Sequence, residues 1–496
     1  MNAKSALPFN NSFSQLPEQF FSHQQPSPVS SPFLIRINTA LAQQLGIDAE
    51  WLASEEGIDM LAGNALPEHA SPIATVYAGH QFGNWNPQLG DGRAILLGEV
   101  CSPVNGLRYD IQLKGAGETP YSRMGDGRSP LGPVLREYIV SEAMASLGIP
   151  STRSLAAVTT GDNVVRDRLL PGGILTRVAQ SHIRIGSFQY FAARQDTDSV
   201  QTLADYVINR HFPDAVHADN SYQVLLENVI SCQAQLIALW QSVGFIHGVM
   251  NTDNMLLCGE TVDYGPCAFM DTFNPETVFS SIDRGGRYAY GNQPAIAQWN
   301  LSWLAQSLLP LLAENEKQAV EVAQNALDGF AESYQQAYET AMCKKLGMGA
   351  KTPLNRMLKQ SLLDLMSKEQ CDFTLCFRFL AENLVPGEKH SPGVSEFFQL
   401  PAAFNPWVEQ WRRQVSKENP DLSAVQADLL AINPAFIPRN HLVEEVIENA
   451  GTHRDFSPFH SLVDLLEKPF DYHPEHRPYA QPPRPEQVVE NTFCGT

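Results

Sequence analysis

Residues 93–114 contain the feature that most constrains the fold. RAILLGEV (93–100) is a strand-like run, and Asn105-Gly106 is a strong hairpin turn signal. Beyond the turn, Leu107, Tyr109, Ile111 and Leu113 alternate with Arg108, Asp110, Gln112 and Lys114. Successive strand side chains point to opposite faces, so this period of two predicts a strand with one apolar and one polar face. Lys114 falls on the polar face, at the strand's end. The early chain must therefore build a sheet.

The later chain reads differently. A Gly-rich connection (115–132) precedes a helix predicted from Pro133 to Leu147, with Glu137 in its first turn. Residues 221–240 form a long amphipathic pattern that includes Val224, Leu225, Val229, Leu236 and Trp240. It leads into HGVMNTDN (247–254). The apolar Met255-Leu256-Leu257 follows as part of a short strand pair, and then VDYGP (262–266). Beyond residue 298 the pattern is mostly helical, with a long helix near 315–346. Strands early and helices late predict an α+β protein with a smaller sheet-containing lobe and a larger helical lobe.

Residues 22–32 (SHQQPSPVSSP) read as a loop, and the proline-rich 468–485 as an extended tail. The division expected is an N-terminal extension (1–70), a sheet-bearing lobe (71–160), a helical lobe (161–400) and a C-terminal extension (401–496).

Charge narrows the classes of partner. With 34 Lys or Arg against 54 Asp or Glu, the net charge of −20 argues against nucleic acid or an anionic membrane as partner. Residues 93–184 run the other way, with eleven basic against eight acidic residues, which suits a local anion site. No apolar run approaches a membrane span, and the N-terminus lacks a continuous apolar signal segment. Eight scattered cysteines without a CxxC pair suit a reducing compartment, so a cytoplasmic location is expected.

The polar residues fall in a telling order. Gly90-Asp91-Gly92-Arg93 opens the hairpin, Lys114 ends it, and Glu137 lies on the next helix. Asp253-Asn254 and Asp263-Tyr264-Gly265 come far downstream. A metal-bound nucleoside triphosphate needs such parts: glycines for close backbone approach, a lysine for phosphate oxygens, a glutamate to fix the lysine, and hard oxygen ligands for the metal. The layout resembles the protein kinase fold. His247 and Asn254 match the ends of H-R-D-x-x-x-x-N, and DYG stands for DFG. The position of the usual base is Val249, which cannot accept a proton, so Asp253, next to Asn254, is the substitute.

The longer motifs YAGHQFG (77–83), QLGDGR (88–93), LKGAGETPYSRMGDGR (113–128), HGVMNTDN, VDYGP and RYAYGNQP (287–294), with the tail NTFCGT, resemble the selenoprotein O family of kinase-like protein adenylyltransferases. That resemblance implies transfer of AMP from ATP to Ser, Thr or Tyr hydroxyls of proteins, with release of pyrophosphate and with ATP bound in reverse. It places ATP contacts on Gly90, Gly92, Arg93, Lys114, Asp126, Gly127, Arg177, Arg184 and Asp263, the base on Asp253, and Mg²⁺ or Mn²⁺ on Asn254 and Asp263, with Glu137 in support. Cys494 occupies the selenocysteine position of selenium-using members and is a redox handle or a plain terminal thiol. Redox-related proteins are among the acceptors implied. A kinase using Asp253 as base, UMP transfer from UTP, and an inactive pseudokinase scaffold stand as alternatives.

Overall fold

The structure, a computed structural model, describes residues 7–349, 352–385 and 393–493. Among these, nine strands form one antiparallel sheet: β1 (Phe21–His23), β2 (Phe33–Ile37), β3 (Ile73–Gln81), β4 (Asn84–Gly90), β5 (Ala94–Cys101), β6 (Arg108–Lys114), β7 (Ser129–Pro130), β8 (Arg153–Val165) and β9 (Leu169–Ala179). The strand order is β1-β3-β5-β6-β9-β8-β2, with β4 paired to β3 and β7 to β9. The predicted hairpin is β5–β6, in register from Cys101 opposite Arg108 to Ala94 opposite Lys114. The sheet also recruits β1, β2 and β9 from outside residues 71–160.

Both faces of β6 are buried. The apolar row meets three short helices, α1 (Thr39–Leu45), α2 (Ala49–Leu52) and α3 (Glu55–Leu61), where Leu41, Leu52 and Leu61 join Ile111 and Leu113 in one core. The polar row, Asp110, Gln112 and Lys114, is also buried and finds charged partners across the fold. A buried charge has to be paired, which is why this row carries Asp and Lys opposite arginines and glutamate.

Helix α4 (Leu131–Ser146) begins two residues before Pro133. Proline fits anywhere in a first turn, whose N–H groups have no helical acceptors, so it marked the start only to within a turn. Glu137 therefore sits in the second turn. The chain then adds α5 (Ile185–Ala192), α6 (Thr197–His211), α7 (Ser221–Ser242), α8 (Gln293–Leu312) and α9 (Glu316–Lys344), which share a large helical core with Phe188, Leu225, Leu236 and Leu304. The long helices α7 and α9 match the patterns read from the sequence.

Met255–Leu257 is not a strand. It makes a single bridge, Leu256 to Arg184, and the strand pair beside the loop is instead β10 (Phe245–Ile246) with β11 (Ala268–Phe269). Further helices are α10 (Pro353–Lys368), α11 (Phe373–Glu382), α12 (Asn405–Glu418), α13 (Leu422–Ile432), α14 (Asn440–Glu448) and α15 (Ser457–Leu466). The last two return to the sheet lobe, where Val443, Phe459 and Leu462 pack on Leu135, Tyr138 and Ile139 of α4. The architecture is α+β, consistent with a kinase-like two-lobe fold. No helix among the described residues is long and apolar enough to cross a membrane. The proline-rich tail folds into short turns, with Ala480 fully buried.

Candidate active site

Lys114, Glu137, Arg177 and Asp263 meet where β6, α4, β9 and the DYG turn converge. Lys114 Nζ lies 2.6 Å from Glu137 Oε2 and 2.8 Å from Asp263 Oδ1. Arg177 Nη2 lies 2.6 Å from Asp263 Oδ1, and its Nε donates to Glu137 Oε1 at 2.8 Å. β6 and β9 are neighbours, with Lys114 opposite Leu175 and Gln112 opposite Arg177, so both cations reach the same space. Burial alone raises the carboxyl of Asp263, but Lys114, Arg177 and Arg184 outweigh it and hold it well below the usual range. Burial likewise opposes ionisation of Glu137, and Arg177 and then Lys114 overcome it. Asp263 also adopts φ of 64°, a conformation uncommon outside glycine that needs support from its surroundings.

Arg184 caps α5 where the chain leaves β9 for the helical lobe. Its Nη1 bonds Asp91 Oδ1 at 3.2 Å, its guanidinium lies 4.4 Å over the Tyr77 ring, and its Nη2 lies 4.0 Å from Asp263 Oδ2. Asp91 is 2% exposed and accepts two further bonds from Thr75. Three cations thus crowd one carboxylate, that of Asp263.

The loop HGVMNTDN is braced from several sides. The buried His247 ring bonds Val262 carbonyl at 2.9 Å, next to Asp263. Asn254 Nδ2 donates to Val249 carbonyl at 2.9 Å, which leaves its Oδ1 as the free end of the amide. Asp253 accepts 3.0 Å from Gln81 Nε2, and its buried Oδ1 has no hydrogen-bond partner among the described residues. Burial pushes its carboxyl up to about 6.

YAGHQFG explains this bracing. Its backbone runs along the loop: His80 N–H donates to Thr252 Oγ1 at 2.7 Å and Phe82 N–H to Asn251 Oδ1 at 3.0 Å. Tyr288 of RYAYGNQP donates to the same Asn251 oxygen at 2.6 Å. Gly79 allows the close approach, since a Cβ there would stand 2.7 Å from Asp253 Oδ1. Gln81, Asn251, Tyr77 and Asp91 were not singled out from the sequence for these tasks. Their local signal was no more than membership of the motifs YAGHQFG, QLGDGR and HGVMNTDN.

The remaining expected contacts are arranged less tightly. Gly90 ends β4 and Gly92 follows, both packed against Tyr121 and its carbonyl. The Gly92 N–H is already donated to Gly90 carbonyl at 2.7 Å. These glycines therefore admit the 119–122 loop rather than offering a row of open amides. Arg93, just before β5, is partly buried, and its carbonyl accepts the Gly115 N–H at 2.7 Å. Gly127, with φ of 64°, lies where a Cβ would stand 2.0 Å from Gly117 carbonyl. Asp126 is turned outward, bonded to Arg166 at 2.9 Å and to the Arg128 N–H at 2.9 Å, and does not join the Lys114–Asp263 cluster. Cys494 lies outside the described residues. Cys371 and Cys376 are buried thiols.

The cation cluster and the braced loop together suit a nucleotide-using transferase of kinase-like build. Known proteins give it a family. The family model "Protein adenylyltransferase SelO" matches residues 4–467. "Protein nucleotidyltransferase YdiU" of Rhodopseudomonas palustris (strain BisB5) is 57% identical over 491 residues, 99% of each chain. Proteins of the same name from Bradyrhizobium diazoefficiens and Methylorubrum extorquens are each 54% identical, again over 99% of both chains. The chain belongs to the SelO family and is a protein nucleotidyltransferase, which sets aside the inactive scaffold. Its activity implies a nucleotide, a divalent metal and protein acceptors.

Proposed function

We propose that the chain transfers AMP from ATP to Ser, Thr or Tyr hydroxyls of proteins, with ATP seated in reverse. The observation that carries this reading is the buried Arg184 at the β9–α5 connection, beside Arg177. A kinase-like cleft ordinarily receives an adenine at that connection, and an uncharged base gains little from two buried guanidinium groups. A polyphosphate gains much, because arginine offers paired donors to phosphate oxygens. Lys114, held by Glu137, adds a third cation to the same space.

In this arrangement the acceptor hydroxyl attacks the α-phosphorus. Its proton passes to Asp253, a phosphodiester forms, and the bond to the β-phosphate breaks as pyrophosphate leaves toward Arg177, Arg184 and Lys114. Gln81 fixes Asp253 Oδ2, so the unpartnered Oδ1 is the one available to take a proton. Asn254 Oδ1 and the ionised Asp263 suit Mg²⁺ or Mn²⁺, a hard cation that keeps water and phosphate oxygens in its shell. When bound, that metal neutralises phosphate charge.

The test is label transfer. Radiolabel from α-³²P-ATP should enter acceptor protein, and label from γ-³²P-ATP should not. Incorporation of γ-label would establish phosphoryl transfer and overturn the reading. Equal transfer from α-labelled UTP would overturn the choice of AMP.

A further inference from the structure

Strand β3 separates two spaces. Tyr77, Gly79 and Gln81 share the face that meets Arg184 and Asp253. His80 lies on the opposite face. Its ring stacks on Trp303 at 3.9 Å, approaches Trp85 at 4.9 Å and meets Trp299 edge-on at 5.3 Å. The nucleotide reading uses none of these four rings.

Beside them opens a cavity of about 830 Å³, between the β3–β4 turn, α5, the end of α8 and the start of α9. That is the size range of ligand pockets. Trp85, Trp303, Leu309 and small alanines form its walls, and exposed Glu314 and Glu316 flank it. Among the described residues, no Lys or Arg lines it. Gln189, another lining residue, is 3% exposed, and its Oε1 has no hydrogen-bond partner among those residues. Aromatic faces attract cations. The same ring cluster already holds one, since the Arg287 guanidinium lies 4.6 Å over Trp299, outside the cavity lining. Burial, and then Arg287, lowers the His80 pKa, so this ring stays neutral and adds no repulsion. Aromatic walls, two carboxylates and a spare carbonyl acceptor suit an organic cation. An anion would find two like charges there and, among the described residues, no lining Lys or Arg.

A protein nucleotidyltransferase must also grip its acceptor, and the cleft groups are occupied with the nucleotide. We propose that this cavity receives a lysine or arginine side chain of the acceptor polypeptide. The chain's net charge of −20 draws basic partners toward it. The bound side chain would lie one strand's thickness from the face of β3 that holds Asp253. Its role in acceptor choice rests on the transfer reading above, whereas the capture of a cation does not.

Two measurements separate these dependencies. Serine peptides carrying arginine, or its uncharged isostere citrulline, at each position around the serine should show an arginine preference at a defined spacing. In the Glu314→Gln/Glu316→Gln variant that preference should fall about fivefold, the scale of losing two exposed charge pairs, while nucleotide affinity holds. Independently of any transfer, benzamidinium should quench tryptophan fluorescence saturably, undisplaced by ATP and metal, and should bind about fivefold more weakly in the same variant. No arginine preference, or one that survives the double substitution, overturns acceptor recognition. Benzamidinium that fails to bind, or that ATP displaces, overturns the cation site itself.

Discussion

Gln81 Nε2 donates to Asp253 Oδ2 across 3.0 Å, joining a strand of the sheet lobe to the loop that carries the proposed base, 172 residues later. Hydrogen bonds to charged groups contribute about 1.5–3 kcal/mol, so Gln81→Ala should lower the turnover rate by about 10- to 100-fold. The bond also lowers the Asp253 pKa against the upward push of burial, so the acid limb of the rate profile should move to higher pH in the variant. Steady-state kinetics across pH checks both. An unchanged turnover and profile would remove Gln81 from this role.

Gly79 is the close-approach point of the same contact. A methyl group there would stand 2.7 Å from Asp253 Oδ1 and 3.1 Å from its Cβ, so either the loop or the strand has to shift. Gly79→Ala should lose most transfer activity while still binding nucleotide, because the cation cluster lies elsewhere. Calorimetric titration with ATP and metal, set beside a label-transfer assay, separates the two effects.

Asp91 is the anchor of Arg184. With Arg184 Nη1 on its Oδ1 and Thr75 on its Oδ2, this buried carboxylate leaves the guanidinium little freedom. Asp91→Asn should weaken nucleotide binding by about 10-fold or more, the scale of a lost charge-assisted bond. Combined with Arg184→Lys, the losses should be smaller than additive, because both substitutions break one contact. Additive losses in the double-mutant cycle would mean that Asp91 acts apart from Arg184.

Glu260 gives the fold a pH dependence of its own. It accepts from the Gln180 N–H at 2.9 Å, and burial raises its carboxyl from the ordinary 4.5 to about 7. The folded state therefore holds a proton that the unfolded state releases. Stability from this group is full below about 4.5 and is lost as pH rises toward 7. At about 1.4 kcal/mol per unit the loss is on the order of 3 kcal/mol. Glu260→Gln keeps an acceptor for Gln180 and has no charge to bury. Its melting temperature should exceed the parent's at pH 8 and match it near pH 4.5, by calorimetry.

Local patterns made part of this legible. The alternation from Leu107 to Lys114 placed Lys114 at a strand end, the motif order brought Glu137 and Asp263 into one expected site, and the family resemblance added the two arginines. The helix 221–240 was written in its apolar spacing. Other features had no local signal. β1 and β2 are short, lie beside a proline-rich loop, and become strands only by pairing with β3 and β8. Met255–Leu257 is apolar enough for a strand but has a single bridge partner, Arg184, so burial rather than pairing fixed it. Gln81 and Asn251 look ordinary in sequence because their partners are distant in the chain. Asp126 carries a residue the family motif expects, yet its carboxylate faces Arg166, a contact that depends on how the 115–128 loop folds.

The direction of the nucleotide decides which phosphorus reacts, and a co-crystal structure with a non-hydrolysable ATP analogue and Mn²⁺ would reveal it. The β- and γ-phosphates should lie against Arg177, Arg184 and Lys114, with the α-phosphorus nearest Asp253. Adenine stacked at the β9–α5 connection, with the terminal phosphorus nearest Asp253, would mean phosphoryl transfer from an ordinarily seated nucleotide.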